Sequence, residues 1–264
     1  MNNILKENGK KIINPKDDVL KTFNEAIQDE DSLEIYDVDE KNNTIGYFDE
    51  ESGYERTYYF NDTKETIANR IMMDEQVEKF LDKDALATFL FDNLDYNSLM
   101  VMENLVFTFD TEIDFSNVRN ELEEKYGDEY AMYVGEDTLG VTWVERQTPL
   151  INISNLVESS VRIANEPDEY LSVDYIFTEG LLQTIFHECR HLFYECNEIV
   201  PDGEGTPYPK EGGREHYVEM YGNDMAEKYI SEFNTKCIKP GLSNVMDEMI
   251  GRLGLDRDVE YYEK

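Results

Sequence analysis

Apolar and polar positions along this chain show strand and helix periods in turn, and the pattern tightens from Leu105. In the first hundred residues the runs are short. Glu34 to Tyr36, Thr44 to Phe48 and Tyr54 to Phe60 read as brief strands separated by the polar turns DEKNN and DEESG. Residues 1–17 are polar and basic-leaning and predict a loose arm or a short helix, followed by a helix over Val19 to Ile27. Asn61 or Asp62 can cap a helix running through Met73. Two acidic helices are expected next, over Glu75 to Leu81 and Asp84 to Leu94. A soft boundary falls near Asn93 to Ser98, with nothing that reads as a flexible linker. The expectation is an α+β fold in two parts: an acidic accessory region over residues 1–97, and a second domain over 98–264.

From Leu105 the pattern tightens into the order β–α–β–β–β–α. Leu105 to Phe109 predicts a strand, and Ser116 to Tyr126 a helix closed by Gly127. Glu129 to Val134, Gly140 to Val144 and Leu150 to Ile153 predict three more strands. Asn155 with Glu158 forms a capping box for a helix through Ala164. In the segment Asp174 to Cys196, apolar residues recur at Leu182, Ile185, Cys189, Leu192 and Cys196, the spacing of a half-buried helix. The Pro- and Gly-rich stretch Glu198 to Gly213 predicts an exposed loop. A helix over Arg214 to Phe233 would bury Val218, Tyr221, Met225, Tyr229 and Phe233. Ser243 can cap a last helix ending about Arg252, before a solvated tail.

The candidate chemistry sits on the first of the two long helices. His187-Glu188-Cys189-Arg190-His191 is an H-E-x-x-H motif in a chain with only 3 histidines. On a helix, His187 and His191 lie one turn apart on one face. Two imidazoles so placed can hold one zinc at about 2.0–2.1 Å. Glu188 then points beside the metal, where it can take a proton from water. The plain alternative is two structural histidines flanking a solvated glutamate. A catalytic zinc needs a third protein ligand, and the next helix offers Glu215, His216 and Glu219.

An H-E-x-x-H helix followed by a helix carrying Glu219, Gly222, Asn223 and Ala226 resembles the gluzincin-type zinc metallopeptidases. The nearest similarity is to small intracellular ones of the ImmA/IrrE type. The resemblance spans Leu105 to Phe233 in topology and only the two helices in motif. It implies a zincin-like small mixed sheet with an active-site helix, a Zn²⁺ cofactor and hydrolysis of peptide bonds. It makes His187, His191 and Glu219 the metal ligands and Glu188 the general base. Asn223 would stand where an Asp is usual, and would orient a ligand histidine by accepting its N–H. An edge strand before the motif helix would hold an extended protein or peptide substrate by strand addition, and Leu150 to Ile153 is the candidate. Glu215 is the second-choice carboxylate. His216 is a further candidate, either as a ligand in place of Glu219 or as a catalytic group stabilising an oxyanion.

Composition narrows the partners. The formal charge is −35, from 24 basic and 59 acidic residues. That excludes direct nucleic-acid binding and anionic membrane surfaces as natural partners, because phosphate contacts require Lys and Arg. It favours a basic substrate. It also admits two non-enzymatic readings: a zincin-fold binding protein that cleaves nothing, and an acidic mimic of DNA that sequesters a basic protein. Cys189, Cys196 and Cys237 lack metal-knuckle spacing and predict buried free thiols in a reducing compartment. The first residues lack the apolar core of a signal peptide, and no apolar run approaches the length of a membrane span. A cytoplasmic protein is therefore expected.

Overall fold

Seven strands and eight helices make a mixed α+β arrangement among the described residues. The computed structural model of the chain describes residues 33–39, 44–49, 54–59, 62–109, 120, 137–143, 146–166, 170–196 and 214–256. The expectations for residues 1–27, for 116–134 apart from Asn120, for 198–213 and for the tail beyond Asp256 lie outside them.

The three short apolar runs form β1 (Leu33–Asp39), β2 (Thr44–Asp49) and β3 (Tyr54–Tyr59), an antiparallel meander in the order β1-β2-β3. Helix α1 (Lys64–Arg70) is capped by Thr63, whose side chain accepts from Thr66 N while Thr66 bonds back to the Thr63 N–H. The cap is thus one residue later than Asp62, which instead lies 2.7 Å from Arg70 Nη2 in an ion pair. The helix also stops short of Met73. Ile71–Met73 is β4, paired in parallel with β5 (Leu105–Thr108). That pairing, distant in sequence, overrides a local pattern that suited a helix.

Three side-chain caps set the next elements. Asp74 caps α2 (Glu75–Glu78), Asp82 caps α3 (Lys83–Asn93) and Asp95 caps α4 (Tyr96–Val101). The four-stranded sheet has the order β4-β5-β7-β6, with β6 spanning Gly140–Trp143 and β7 spanning Thr148–Asn152. Strands β4, β5 and β7 are parallel, and β6 is antiparallel to β7. The expected edge strand, Leu150 to Ile153, is therefore an interior one. Among the described residues the edge beside the motif helix is β6, with β7 lying between it and β5. Asn152, not Asn155, caps α5 (Ile153–Ala164), and the Asn155 amide donates instead to Thr138 O at 2.8 Å.

The long helices are α6 (Val173–Cys196), α7 (Arg214–Lys236) and α8 (Leu242–Arg252). The residue that starts α8 is Gly241, at φ 95°, while Ser243 donates its hydroxyl to Asp174 of α6. A single hydrophobic cluster runs from Ile45 to Ile250. Phe80 meets Phe177 edge-on at 5.4 Å, and Phe89 meets Phe186, Tyr229 and Phe233 at 5.5–6.2 Å. The boundary expected at 97/98 thus cuts through one sheet and one core. None of the helices among the described residues is long and apolar enough to cross a membrane.

Gln147 ties the meander to this body. It is buried, at φ 45°, at the entry to β7. Its Oε1 accepts from Thr57 N at 2.6 Å, and its Nε2 donates to Thr57 O at 2.8 Å and to Val101 O at 2.6 Å. The side-chain amide therefore continues the outer edge of β3 as a strand would.

Candidate metal centre

Helix α6 opens at Ser172, whose hydroxyl accepts from Tyr175 N at 3.2 Å. Phe177, Leu181, Leu182, Ile185, Phe186, Cys189 and Leu192 are fully buried, so the apolar period sets the helix's rotation. That rotation leaves His187 and His191 half-buried, on a side where α7 can reach them. Gly222 permits the approach. A Cβ there would lie 3.0 Å from the Gln183 carbonyl oxygen and 3.3 Å from His187 Cβ. Phe186 packs against Tyr221 and Tyr229 across the same seam.

Glu215 completes the group. Its Oε1 lies 3.1 Å from His187 Nε2 and its Oε2 lies 3.2 Å from His191 Nε2. The two Nε2 atoms are 3.1 Å apart. A tetrahedral ion with ligands at about 2.0–2.1 Å has ligand–ligand edges of about 3.3–3.4 Å, close to each of these three contacts, which reach Glu215 through its two different oxygens. These three residues can hold a metal ion, and they form the only such group found among the described residues. Burial by itself would raise the Glu215 pKa, but the imidazoles of His187 and His191 outweigh it and hold the carboxyl well below the usual range.

The resemblance pointed to Glu219, and the structure places that residue elsewhere. At about 100° per residue, Glu215 lies in line with the buried Gly222, Ala226 and Phe233 of α7. Glu219 and Asn223 are turned off that stripe by about 40° and 80°, and both are exposed. The carboxylate brought to the histidines is thus the second choice, Glu215, and Asn223 is not positioned as their partner. His216 is half-buried, with its ring 5.8 Å from that of Tyr217, and it does not join the group.

Glu188 is 5% exposed. Its Oε1 lies 3.9 Å from His187 Nε2. Its other oxygen, Oε2, and its main-chain oxygen each lie 2.8 Å from the Thr142 hydroxyl on β6. Arg190 points to the opposite side, 3.4 Å from Asp95 and stacked 4.6 Å over the Tyr221 ring. Tyr221 donates to the same Asp95 oxygen at 3.2 Å. Burial first, then the Asp95 charge, pushes the Tyr221 pKa far up, so the phenol stays protonated as a donor. Burial likewise pushes the Cys189 thiol up, leaving it inert. Cys237 is also a buried free thiol.

The sequence reading missed Gly140 and Thr142. They share one face of β6, two residues apart, but no local signal says which helix that face meets. Compared with known proteins, the chain matches no family model, no curated protein and no solved structure.

Proposed function

We propose that this chain is a zinc-dependent metallopeptidase, with His187, His191 and Glu215 holding the ion and Glu188 as general base. The observation that carries the reading is the convergence of two imidazole nitrogens 3.1 Å apart and one carboxylate whose two oxygens lie 3.1 and 3.2 Å from them, with Oε1 of the buried Glu188 3.9 Å from His187 Nε2. Two imidazoles and one carboxylate are a donor set of catalytic zinc. Zinc held there would supply Lewis acidity and would lower the pKa of a water from 15.7 toward about 7.

The chain's own residues do the rest. Glu188 Oε1 accepts a proton from the attacking water and returns it to the leaving amine nitrogen. The β4-β5-β7-β6 sheet beside α6 agrees with a zincin-like arrangement. Its edge strand β6 takes over the substrate-binding role expected of Leu150 to Ile153, offering main-chain groups to an extended peptide. The charge of −35 favours a basic protein or peptide as substrate.

The test is metal content and peptide cleavage for wild type and Glu188→Gln. The variant is expected to keep its zinc and lose about 10²–10⁴-fold in kcat. Equal cleavage by both would remove Glu188 from the mechanism. The same net charge favours a second reading, capture of a basic protein without cleavage. In that case binding would survive Glu188→Gln and weaken as salt is raised.

A further inference from the structure

We infer that Thr142 is a positioning residue for Glu188, dividing the carboxylate into an anchored oxygen, Oε2, and a working one, Oε1. The inference rests on the metallopeptidase reading and adds a residue that reading does not require. Strand β6 is built against α6 at this level. A Cβ at Gly140 would lie 2.7 Å from Thr184 Cγ2, 2.8 Å from Glu188 Cγ and 3.0 Å from Glu188 Oε1. Only a residue without a side chain lets the strand come so near. Thr184 turns its hydroxyl back to the Gly180 carbonyl at 2.8 Å. Two residues along the strand, on the same face, Thr142 Oγ1 lies 2.8 Å from both Glu188 Oε2 and Glu188 O.

The chemistry of that contact is specific. A threonine hydroxyl has one hydrogen, and here it sits between the side chain and the main chain of a single residue. Shared between the two acceptors, that hydrogen holds Oε2 beside the helix backbone and restricts the turn of the carboxylate plane. The last torsion of a glutamate is otherwise broad and roughly two-fold. With Oε2 held toward the sheet, Oε1 is the oxygen left on the side of His187 Nε2, 3.9 Å away. A carboxylate free to turn could instead become an additional ligand, since carboxylate oxygens are zinc ligands as imidazoles are. The anchor keeps Glu188 beside the ion's place and out of its coordination shell.

The test compares Thr142→Val, which keeps the shape and loses the hydroxyl, with Thr142→Ser, which keeps the hydroxyl. In the full chain loaded with zinc, Thr142→Val is expected to lower kcat about 10- to 100-fold, the usual cost of losing a partner behind a reactive group. KM and zinc content should stay near wild type, and Thr142→Ser should recover most of the loss. A second readout needs no turnover. In the Co²⁺-substituted chain, wild type and Thr142→Ser should share one visible spectrum. Thr142→Val should shift toward the weaker bands of a higher coordination number as Glu188 enters the shell. An unchanged kcat and spectrum in Thr142→Val overturns the inference, as does a loss in Thr142→Ser equal to that in Thr142→Val. If Thr142→Val does not fold, Thr142→Ala takes its place under the same criteria. If wild type binds Co²⁺ yet cleaves no peptide, the peptidase reading fails on its own, and the spectra alone decide Thr142.

Discussion

The Gln147 amide and the Glu215 carboxylate each join elements far apart in sequence, the first across contacts of 2.6–2.8 Å and the second across contacts of 3.1–3.2 Å. At Gln147, one acceptor meets the Thr57 N–H and two N–H hydrogens meet the carbonyls of Thr57 and Val101. Every contact pairs a donor with an acceptor. At Glu215, the carboxylate and two Nε2 atoms face one another along three edges of 3.1–3.2 Å. Neutral imidazole offers either a hydrogen or a lone pair at Nε2. If both histidines donate to Glu215, two N–H groups confront each other. If one does not, its lone pair confronts the carboxylate. With Glu215 ionised, as the two imidazoles favour, no placement of protons satisfies all three edges, and a cation among them does. Both clusters are polar, the first buried and the second half-buried, and only the one that cannot close on itself calls for a ligand.

The strongest way to break this contrast is to remove the central carboxylate. Glu215→Ala should weaken zinc binding by more than the 10- to 100-fold typical of losing a partner behind a ligand. Glu219→Ala should leave it within about twofold. Chelator competition measures both, and a large loss in Glu219→Ala would restore the ligand expected from the resemblance. Next comes the self-contained cluster. Gln147→Ala strands one N–H and two carbonyls, which at the low end of about 1–3 kcal/mol per unsatisfied group predicts a loss of at least about 3 kcal/mol in urea unfolding. Zinc affinity should not move. Gln147→Gly loses the same bonds but suits φ 45°, so it should recover about 1 kcal/mol of that loss.

The smallest effect is in alkali. Burial, then the charge of Glu103, pushes Tyr59 up to about 12, with Arg70 opposing and Asp62 adding to the rise. An unfolded tyrosine ionises near about 10. Between those values the unfolded chain has released a proton that the folded chain keeps, so stability falls as pH rises through the window. Tyr59→Phe should flatten that part of the decline, read from urea midpoints across it.

Much of this was visible in the sequence wherever one element sufficed. The spacing of Leu182, Ile185, Cys189 and Leu192 fixed the buried side of α6, and all four are buried. Val218 and Phe233 are buried, and Tyr221, Met225 and Tyr229 pack partly buried against the core, as the period of α7 predicts. The two histidines converge because they share a helix face. What depended on two elements was not visible. Glu215 and Glu219 stand one turn apart, and only the crossing at Gly222 decides which meets the imidazoles. Ile71–Met73 suits a helix until β5 is beside it. The places of β6 and β7 follow from strand order, which no run of residues encodes locally.

The parallel pairing of β4 with β5 has a practical corollary for anyone trimming the molecule. A fragment starting at Ser98 would lose β4 and leave β5 as a raw margin, inviting other chains to add to it. It would also leave hollows where Phe80 and Phe89 press on Phe177, Phe186 and Phe233, each worth about 3–5 kcal/mol on the scale of Phe→Ala substitutions. The histidine-bearing helix therefore has no smaller home within its own half, and residues 62–97 are part of its foundation.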